Sequence, residues 1–316
     1  MQYDVIVIGG SYAGMAASLQ LVRARKAVLV IDAGQRRNRF ASHSHGFLGQ
    51  DGVPPGEIAR VAREQLLAYP TLTWLEGSAV SVGGARDAFT VTLADGQTHV
   101  GRRLLLATGV VDQLPEVPGL AERWGQSVFA CPYCHGYELD QGRIGVIATG
   151  AMSSHQAEML TDWGQVTLLT QGAVVLEPDV RRTLETRGVT IEEAGIDRLD
   201  GDADVVLVDG RRLSFAGLFT APRCSPSSGP LVESLGCALE ETPMGVQVRT
   251  DAAKETSVKG VFACGDVGRV PHSVTLAVAD GAWAGVNVHR SLLWLEGLCC
   301  INGLRQPGWS TGRLKA

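Results

Sequence analysis

The sequence predicts an α/β protein that contains two Rossmann-like dinucleotide-binding domains. Three observations lead to this prediction. A strand, a glycine-rich turn, a helix and a second strand follow one another within residues 3–32, and the same order recurs within residues 144–170. The length of 316 residues is a third observation, because it suits about two domains of ordinary size.

Composition places the chain among soluble globular proteins, with 45% hydrophobic and 19% charged residues. The net charge is −5 and no basic stripe is present, so we expect no nucleic-acid partner. Residues 1–8 enter a strand directly, without the basic start or cleavage site of a signal peptide. No apolar run reaches the ~18 residues of a membrane helix. We therefore expect a cytoplasmic protein that does not contact membranes.

The first unit begins with an apolar run at residues 3–8, as expected for a parallel strand buried on both faces. The turn carries a glycine fingerprint in which Ser11 replaces the middle glycine, and a helix is predicted over residues 15–25. A strand at residues 27–31 ends in an acid that suits a ribose hydroxyl. The predicted cofactor-binding residues of this unit are Gly9, Ser11, Tyr12, Ala13, Gly14 and Asp32.

Residues 33–56 are predicted to form a loop whose basic side chains reach a phosphate, although a solvated loop is the alternative. Its candidate cofactor-binding residues are Ala33, Gly34, Arg39 and His45. A helix is predicted at residues 56–69, and short strands at 72–75, 79–82, 89–93 and 99–100. A separate buried strand is predicted at 104–106. It is followed by three further candidate cofactor-binding residues, Ala107, Thr108 and Gly109. Prolines at 115 and 118 suggest a crossing between domains.

The centre of the chain reads Cys131-Pro132-Tyr133-Cys134-His135. A CxxC pair at a helix start lowers the pKa of one thiol and supplies a second thiol to close a disulfide. The alternatives are half of a zinc site or two buried thiols. A zinc site needs four ligands, and no second CxxC or HxxxH follows at finger spacing, so we expect a redox dithiol and no metal.

The second unit has predicted strands at residues 144–147 and 166–170, with a helix over 154–163 between them. Its residues are poorly suited to recognise NAD or NADP. The first glycine of the fingerprint is Ala148, and the second strand ends in Thr170-Gln171-Gly172. That sequence offers neither a carboxylate for the ribose of NAD nor an arginine cluster for the 2′-phosphate of NADP. Arg181 and Arg182 follow later and are expected on a solvated helix face.

Short strands are predicted at residues 205–208 and 218–220, followed by a loop that contains several prolines. A buried strand then ends in Gly265-Asp266, a place for an acid to bind a sugar or ribityl hydroxyl. The helix at 274–293 presents its positive N-terminus, which suits the electron-rich edge of a reduced flavin. His272, Ser273 and Val274 lie at that end. Cys299-Cys300 in the tail is either a mobile redox relay or part of a non-functional terminus.

Together these motifs resemble the low-molecular-weight thioredoxin reductases, which are FAD-dependent pyridine-nucleotide-disulfide oxidoreductases. The resemblance extends to about residue 294. It implies that the second domain is inserted into the first. The FAD domain would comprise residues 1–115 and 242–316, and residues 116–241 would form an NAD(P)-type domain that carries the cysteines. It also implies three-layer ββα domains and a homodimer.

The resemblance implies a role for each matching residue. Cys134 would lie against the flavin C4a, Cys131 would meet the substrate, and Asp266 would bind the ribityl chain of FAD. The reductases usually carry an aspartate directly after the second cysteine, where this chain has His135. The pattern Cys-x-x-Cys-His-Gly is instead similar to the dithiol oxidases that act on gliotoxin, holomycin and, most of all, romidepsin-type depsipeptides.

The resemblance therefore implies oxidation of a small dithiol, with His135 moving protons because its pKa lies near working pH. His272 is a second candidate for this role. Weak nicotinamide recognition favours O2 as the final electron acceptor, with NADP+ as the alternative. Two other functions stay open: an NADPH-dependent thioredoxin reductase that works in the opposite direction, and a flavoprotein redox sensor without turnover.

Overall fold

The computed structural model describes residues 2–294, and all structural statements concern this part of the chain. It contains nineteen strands within these residues. In chain order they are β1 Gln2–Ile8, β2 Val28–Asp32, β3 Leu72–Glu76, β4 Ala79–Gly83, β5 Phe89–Leu93, β6 Thr98–Leu106, β7 Val110–Gln113, β8 Val128–Phe129, β9 Arg143–Ile147, β10 Gln165–Leu169, β11 Thr190–Glu192, β12 Ile196–Asp200, β13 Asp204–Leu207, β14 Arg212–Ser214, β15 Gly217–Thr220, β16 Arg223–Pro226, β17 Leu239–Thr242, β18 Gly245–Val248 and β19 Val261–Ala263.

Seven α-helices accompany the strands in residues 2–294. They are α1 Tyr12–Arg23, α2 Pro55–Leu67, α3 Pro132–His135, α4 Met152–Leu160, α5 Pro178–Thr186, α6 Gly229–Leu235 and α7 Val274–Leu293. None of these helices is both long enough and apolar enough to span a membrane. Cys299 and Cys300 lie outside the described residues.

The first sheet has the order β3-β2-β1-β6-β5-β4, and β19 pairs with the end of β6 beyond β5. Strands β1, β2, β3, β6 and β19 run parallel, whereas β4 and β5 are antiparallel additions. The register places Val261 of β19 beside Leu104 of β6. The last part of the chain therefore completes a sheet that the first part begins, and the carboxyl ends of β1, β2, β6 and β19 meet at one edge.

One face of this sheet is covered by α1, α2 and α7, which pack into a common apolar core with β1 and β2. Helices α1 and α7 cross at very short range. A Cβ added at Gly281 of α7 would lie 2.1 Å from the carbonyl oxygen of Ala13 in α1. Only glycine permits this approach, so the crossing holds the starts of α1 and α7 in fixed positions.

The second sheet has the order β11-β10-β9-β15-β8 and is entirely parallel. Helices α4 and α5 cover one face, and the small antiparallel sheet β12-β13-β14 lies towards the other. The buried residues of both cores come only from residues 117–219. This part is the second dinucleotide-type unit that the sequence predicts.

The chain passes between the two units beside a fourth sheet, β17-β18-β16-β7. Strands β7 and β16 are antiparallel neighbours, and Gln113 lies opposite Arg223. Helix α6 packs on the first sheet, because Leu231 and Val232 lie in the same core as Ile6 and Leu104. The division of the chain at residues 115/116 and 241/242 stays a prediction.

Three predictions about elements were wrong in detail. Helix α1 begins at Tyr12 rather than residue 15, because the fingerprint itself forms the first helical turn. The strands expected at 99–100 and 104–106 are one strand, β6. The proline-rich loop contains α6, in whose first turn Pro230 lies, where a missing N–H costs little.

Candidate active site

The turn from β1 into α1 forms one end of the candidate cofactor site. Gly9 has φ +105°, and a Cβ there would lie 2.4 Å from the carbonyl oxygen of Ala107 at the end of β6. Ser11 occupies the N-cap position of α1, but its side chain makes no capping hydrogen bond. The amides of the first turn therefore have no side-chain cap, which suits a bound pyrophosphate.

Asp32 lies where the sequence predicts it, at the carboxyl end of β2. Its Oδ1 accepts a hydrogen bond from the backbone N–H of Gly10, with N and O 3.1 Å apart. The carboxylate is half-buried and adjoins the fingerprint turn. A carboxylate held at this edge can accept hydrogen bonds from ribose hydroxyls.

The turn after β19 closes the other end of the site. Gly265 has φ +73°, and a Cβ added there would lie 2.7 Å from the Cβ of Ala13. The buried Asp280 accepts the backbone N–H of Gly265 at 2.9 Å and forms an ion pair with Lys254 at 2.7 Å. This arrangement holds the Gly265–Asp266 turn directly against the start of α1.

Helix α7 also begins at this edge. Ser273 is its N-cap residue, and the Ser273 hydroxyl accepts a hydrogen bond from the backbone N–H of Leu276 at 3.1 Å. Val274 is the first helical residue. The positive ends of α1 and α7 thus flank one sheet edge together with Asp32 and Asp266.

These groups fit FAD. The uncapped amides of α1 suit the pyrophosphate, Asp32 suits the adenine ribose, and Asp266 suits the ribityl chain. The close contacts leave no space for a side chain at Gly9, which adjoins Ala107 after β6, or at Gly265, which adjoins Ala13 of α1. The turn Ala107-Thr108-Gly109 lies at the same edge, and the Thr108 hydroxyl is 2.7 Å from that of Ser228.

The inward-facing arginine of the loop after β2 is not the one that the sequence predicts. Arg39 is exposed, donates to the carbonyl oxygen of Arg36 and lies over the ring of Phe40. Ala33 and Gly34 are also exposed. Arg37 is the inward-facing arginine, and it forms ion pairs with Asp112 and Asp266. Sequence reasoning missed Arg37 because neighbouring loop arginines have no periodicity that indicates their direction.

His272 belongs to the Arg37 cluster. Its Nδ1 lies 2.8 Å from a guanidinium nitrogen of Arg37, and burial lowers the pKa of the imidazole. The structure gives His272 no hydrogen bond to the cysteine pair or to His135. It therefore does not support His272 as the proton carrier for the dithiol.

Cys131 and Cys134 form a disulfide across the single turn of α3, with their Cα atoms 5.3 Å apart. The thiols that a zinc site would require are thus joined to each other. Pro132 occupies the first helical position, as predicted. Tyr133, between the cysteines, is exposed and meets Trp163 edge-on at 5.3 Å. Cys224, Cys237 and Cys264 are buried free thiols.

His135, directly after Cys134 in the chain, packs against an aromatic ring. Its imidazole stacks on Phe129, with ring centroids 4.2 Å apart and planes 16° from parallel. Burial lowers the pKa of His135 to about 4, although the nearby Glu138 carboxylate acts in the opposite direction. The expectation of a pKa near working pH is therefore wrong for the disulfide form. His135 is a neutral base at pH 7.

A pocket of about 250 Å³ lies beside His135. His45, expected at the cofactor, lines this pocket and is 3.5 Å from the carboxylate of Glu138 and 3.6 Å from that of Asp51. Phe129 and Gln126 form other parts of the wall. The loop after β2 and the segment around α3 therefore share one cavity, and His135, which follows Cys134 in the chain, is part of its wall.

Two groups at the turn of the second nucleotide unit are already hydrogen-bonded within the chain. The amide of Thr149 donates to the buried Ser153 hydroxyl at 2.9 Å, and the side-chain amide of Gln171 donates to the carbonyl oxygen of Ala148 at 3.1 Å. Arg181 pairs with Glu193, and Arg182 pairs with Asp179. These contacts leave the unit with its fold but without an arginine cluster for a 2′-phosphate.

The chain is similar to known proteins along nearly its whole length. Residues 3–281 match the model of the pyridine nucleotide-disulphide oxidoreductases. Thioredoxin reductase tcpT of Claviceps purpurea is 33% identical over 306 residues, which are 92% of this chain and 94% of the relative. A solved oxidoreductase from Agrobacterium tumefaciens is 55% identical with a TM-score of 0.90, covering 93% of this chain and 99% of its own. HlmI is 34% identical with a TM-score of 0.85, covering 92% and 93%.

Proposed function

This chain belongs to the pyridine nucleotide-disulphide oxidoreductase family, and from that premise we propose that it is an FAD-dependent dithiol oxidase. Its product is an intramolecular disulfide in a small natural product, such as a depsipeptide dithiol. The family uses FAD, and the chain is an oxidoreductase that acts on a sulfur group. The observation that supports the proposal most is the Cys131–Cys134 disulfide followed directly by the neutral base His135.

The reaction begins at the disulfide. A substrate thiolate attacks Sγ of Cys131, which breaks the bond to Cys134 and releases the Cys134 thiolate. The second substrate thiol attacks the substrate sulfur of the mixed disulfide, closes the product ring and releases Cys131. The substrate loses two electrons and two protons, and the cysteine pair gains both electrons. Bound FAD supplies the two-electron acceptor that returns Cys131 and Cys134 to the disulfide.

His135 moves the protons. The imidazole is neutral in the disulfide form, so its free nitrogen can accept the proton of the substrate thiol that attacks Cys131. The adjacent pocket can hold the body of a small dithiol while its sulfur reaches α3. This assignment makes His135 a general base, with Phe129 as the ring that fixes its plane.

Molecular oxygen is the final acceptor in this proposal, and its two-electron reduction gives hydrogen peroxide. Support comes from the second nucleotide unit, where Gln171 and Ser153 satisfy groups at the turn and Arg181 is already paired. NADP+ is the alternative acceptor. A homodimer and a cytoplasmic location are also parts of the proposal, both from the resemblance.

Aerobic turnover with small dithiols tests the proposal. We expect wild type to consume one O2 for each disulfide formed from dithiothreitol or from a longer cyclisable dithiol. Cys131→Ser and Cys134→Ser should each abolish oxygen uptake while still binding FAD. A surface substitution such as Arg182→Gln, on the exposed face of α5, serves as the matched control.

The opposing function is thioredoxin reduction, the activity after which several relatives are named. It requires rapid FAD bleaching by NADPH without oxygen and turnover with thioredoxin. If wild type reduces thioredoxin with NADPH yet consumes no oxygen with any dithiol, the oxidase proposal is wrong. Stoichiometric oxidation of a dithiol without further turnover would instead favour a redox sensor.

A further inference from the structure

The structure assigns to Arg37 the role of a positioning residue that holds together the flavin end of the cofactor site. Its guanidinium lies at a partly buried junction of four separate segments, and its side chain is 24% exposed. The inference rests on FAD binding and not on the direction of the dithiol chemistry. Nothing in the glycine fingerprint indicates it.

All five N–H donors of the guanidinium have acceptors. Nε donates to Asp112 at 3.0 Å, and one terminal nitrogen donates to the other oxygen of Asp112 at 2.5 Å. The same nitrogen also contacts Sγ of Cys224 at 3.6 Å. The other terminal nitrogen donates to the Asp266 carboxylate at 3.0 Å and to Nδ1 of His272 at 2.8 Å. A planar five-donor group can satisfy this set, and a lysine ammonium with three donors cannot.

The partners come from elements that converge at the cofactor site. Asp266 lies in the turn after β19, and His272 lies two residues before the start of α7. Asp112 of β7 and Cys224 of β16 are directly paired in register. Through these hydrogen bonds, Arg37 connects Asp266, the acid that suits the ribityl chain, and the start of α7 to the β7–β16 pair. Without it, the Asp112 and Asp266 carboxylates would lose their shared counter-ion.

The same contact selects the tautomer of His272. A guanidinium can only donate, so Nδ1 must be the acceptor and carries no proton. The neutral ring therefore carries its hydrogen on Nε2. Arg37 thus presents His272 as an Nε2–H donor at the start of α7 and excludes the opposite tautomer.

The test compares Arg37→Lys and Arg37→Gln with Arg60→Lys and Arg60→Gln. Arg60 makes a similar two-point contact with Glu57, but on the exposed surface of α2. FAD is titrated into the apoprotein and followed by the quenching of flavin fluorescence. We expect the Kd for FAD to rise at least tenfold in both Arg37 variants and to stay within twofold in both Arg60 variants.

A second readout does not depend on cofactor loading. In protein labelled with 15N-histidine, the nitrogen shifts of His272, assigned with His272→Gln, report which ring nitrogen carries the proton. Wild type should show the Nε2–H form, and Arg37→Gln should populate the Nδ1–H form. Asp112→Asn breaks the same network at β7, so it should weaken FAD binding as Arg37→Gln does. The double variant should be no weaker than either single variant.

Several outcomes would overturn the inference. Arg37→Lys conserves the charge but not the five-donor geometry, so unchanged FAD affinity in that variant would show that this geometry is not needed. An unchanged His272 tautomer in Arg37→Gln, or fully additive losses in the double variant, would also contradict it. If Arg37→Gln fails to fold, Arg37→Lys and Asp112→Asn decide the question. All these measurements are made without dithiol, so they are independent of the proposed oxidase activity.

Discussion

At the scale of single residues, the environment of His135 decides which proton chemistry the cysteine pair can use. The imidazole is stacked on Phe129 and partly buried, and burial lowers its pKa to about 4. A histidine with an ordinary pKa would be partly protonated near pH 6.5 and would offer fewer free acceptor nitrogens there. His135 keeps its free nitrogen throughout the neutral range, but a pKa of about 4 also makes it a weak base for a thiol, so we expect its pKa to rise when the Cys134 thiolate forms beside it.

We predict that His135→Asn lowers kcat/KM for dithiol oxidation about 10²- to 10⁴-fold at pH 7.5, the usual contribution of general base catalysis. Since kcat/KM reports the free enzyme, the acid limb that His135 contributes in wild type should lie near pH 4, its pKa in the disulfide form. Steady-state rates from pH 4 to 8 measure this. His155→Asn, at an exposed site on α4, is the control. An acid limb at pH 6.5 that vanishes in His135→Asn would contradict the depressed pKa.

The sequence identified the site residues whose position follows from a strand end, and it was less successful with loop residues. Gly9, Asp32 and Gly265 lie at the predicted edge because parallel strands bring their carboxyl ends together. Arg39 and His45 lie in an irregular loop, where spacing does not indicate side-chain direction. The structure turns Arg39 outward and places His45 in the pocket beside His135.

At the scale of elements, β6 shows how a buried arginine can prevent a continuous strand from being predicted. Arg102 and Arg103 interrupt the apolar run, so the sequence predicts two short strands. Arg103 is only 2% exposed, yet its guanidinium donates to the Asp87 carboxylate at 2.8 Å and the Ser291 carbonyl oxygen at 2.7 Å. Ser291 is 188 residues away in the chain, and no local pattern reveals such a partner.

The α1–α7 crossing gives a prediction at the same scale. Gly281→Ala places a methyl group 2.1 Å from the carbonyl oxygen of Ala13, so the helices must separate. Overpacking costs about 1–3 kcal/mol or more, which exceeds the ~1 kcal/mol that alanine gains over glycine in a helix. We therefore expect the free energy of unfolding to fall, and the Kd for FAD to rise, because both helix starts flank the cofactor site.

Chemical denaturation and FAD titration measure the two effects. Gly83→Ala in β4 is the matched control, because a Cβ at Gly83 meets no atom within 4 Å. It should change the free energy of unfolding by less than about 0.5 kcal/mol. Equal stability and FAD affinity in Gly281→Ala and Gly83→Ala would show that the crossing tolerates an added methyl group.

At the scale of the whole molecule, the two units differ in how they are assembled from the chain. The second unit builds its cores from one continuous stretch, residues 117–219. The first unit needs both ends of the described chain, and it also includes α6 through Leu231 and Val232. We therefore propose that the second crossing lies near residue 221, earlier than the boundary at 241/242 that the resemblance implies.

This boundary predicts that the second unit can be removed as a block. Gln113 and Arg223 are opposite each other at the ends of an antiparallel pair, so a hairpin loop of about 2–5 residues can replace residues 114–222. The shortened protein should unfold cooperatively and bind FAD, yet oxidise no dithiol, because Cys131, Cys134 and His135 are gone. Absorbance of bound flavin, circular dichroism and oxygen uptake measure these properties. The Cys131→Ser/Cys134→Ser protein is the full-length control. A replacement of residues 114–241 also removes β16, α6 and most of β17, so it should lose stability. Equal retention of FAD after both deletions would place the boundary at 241/242.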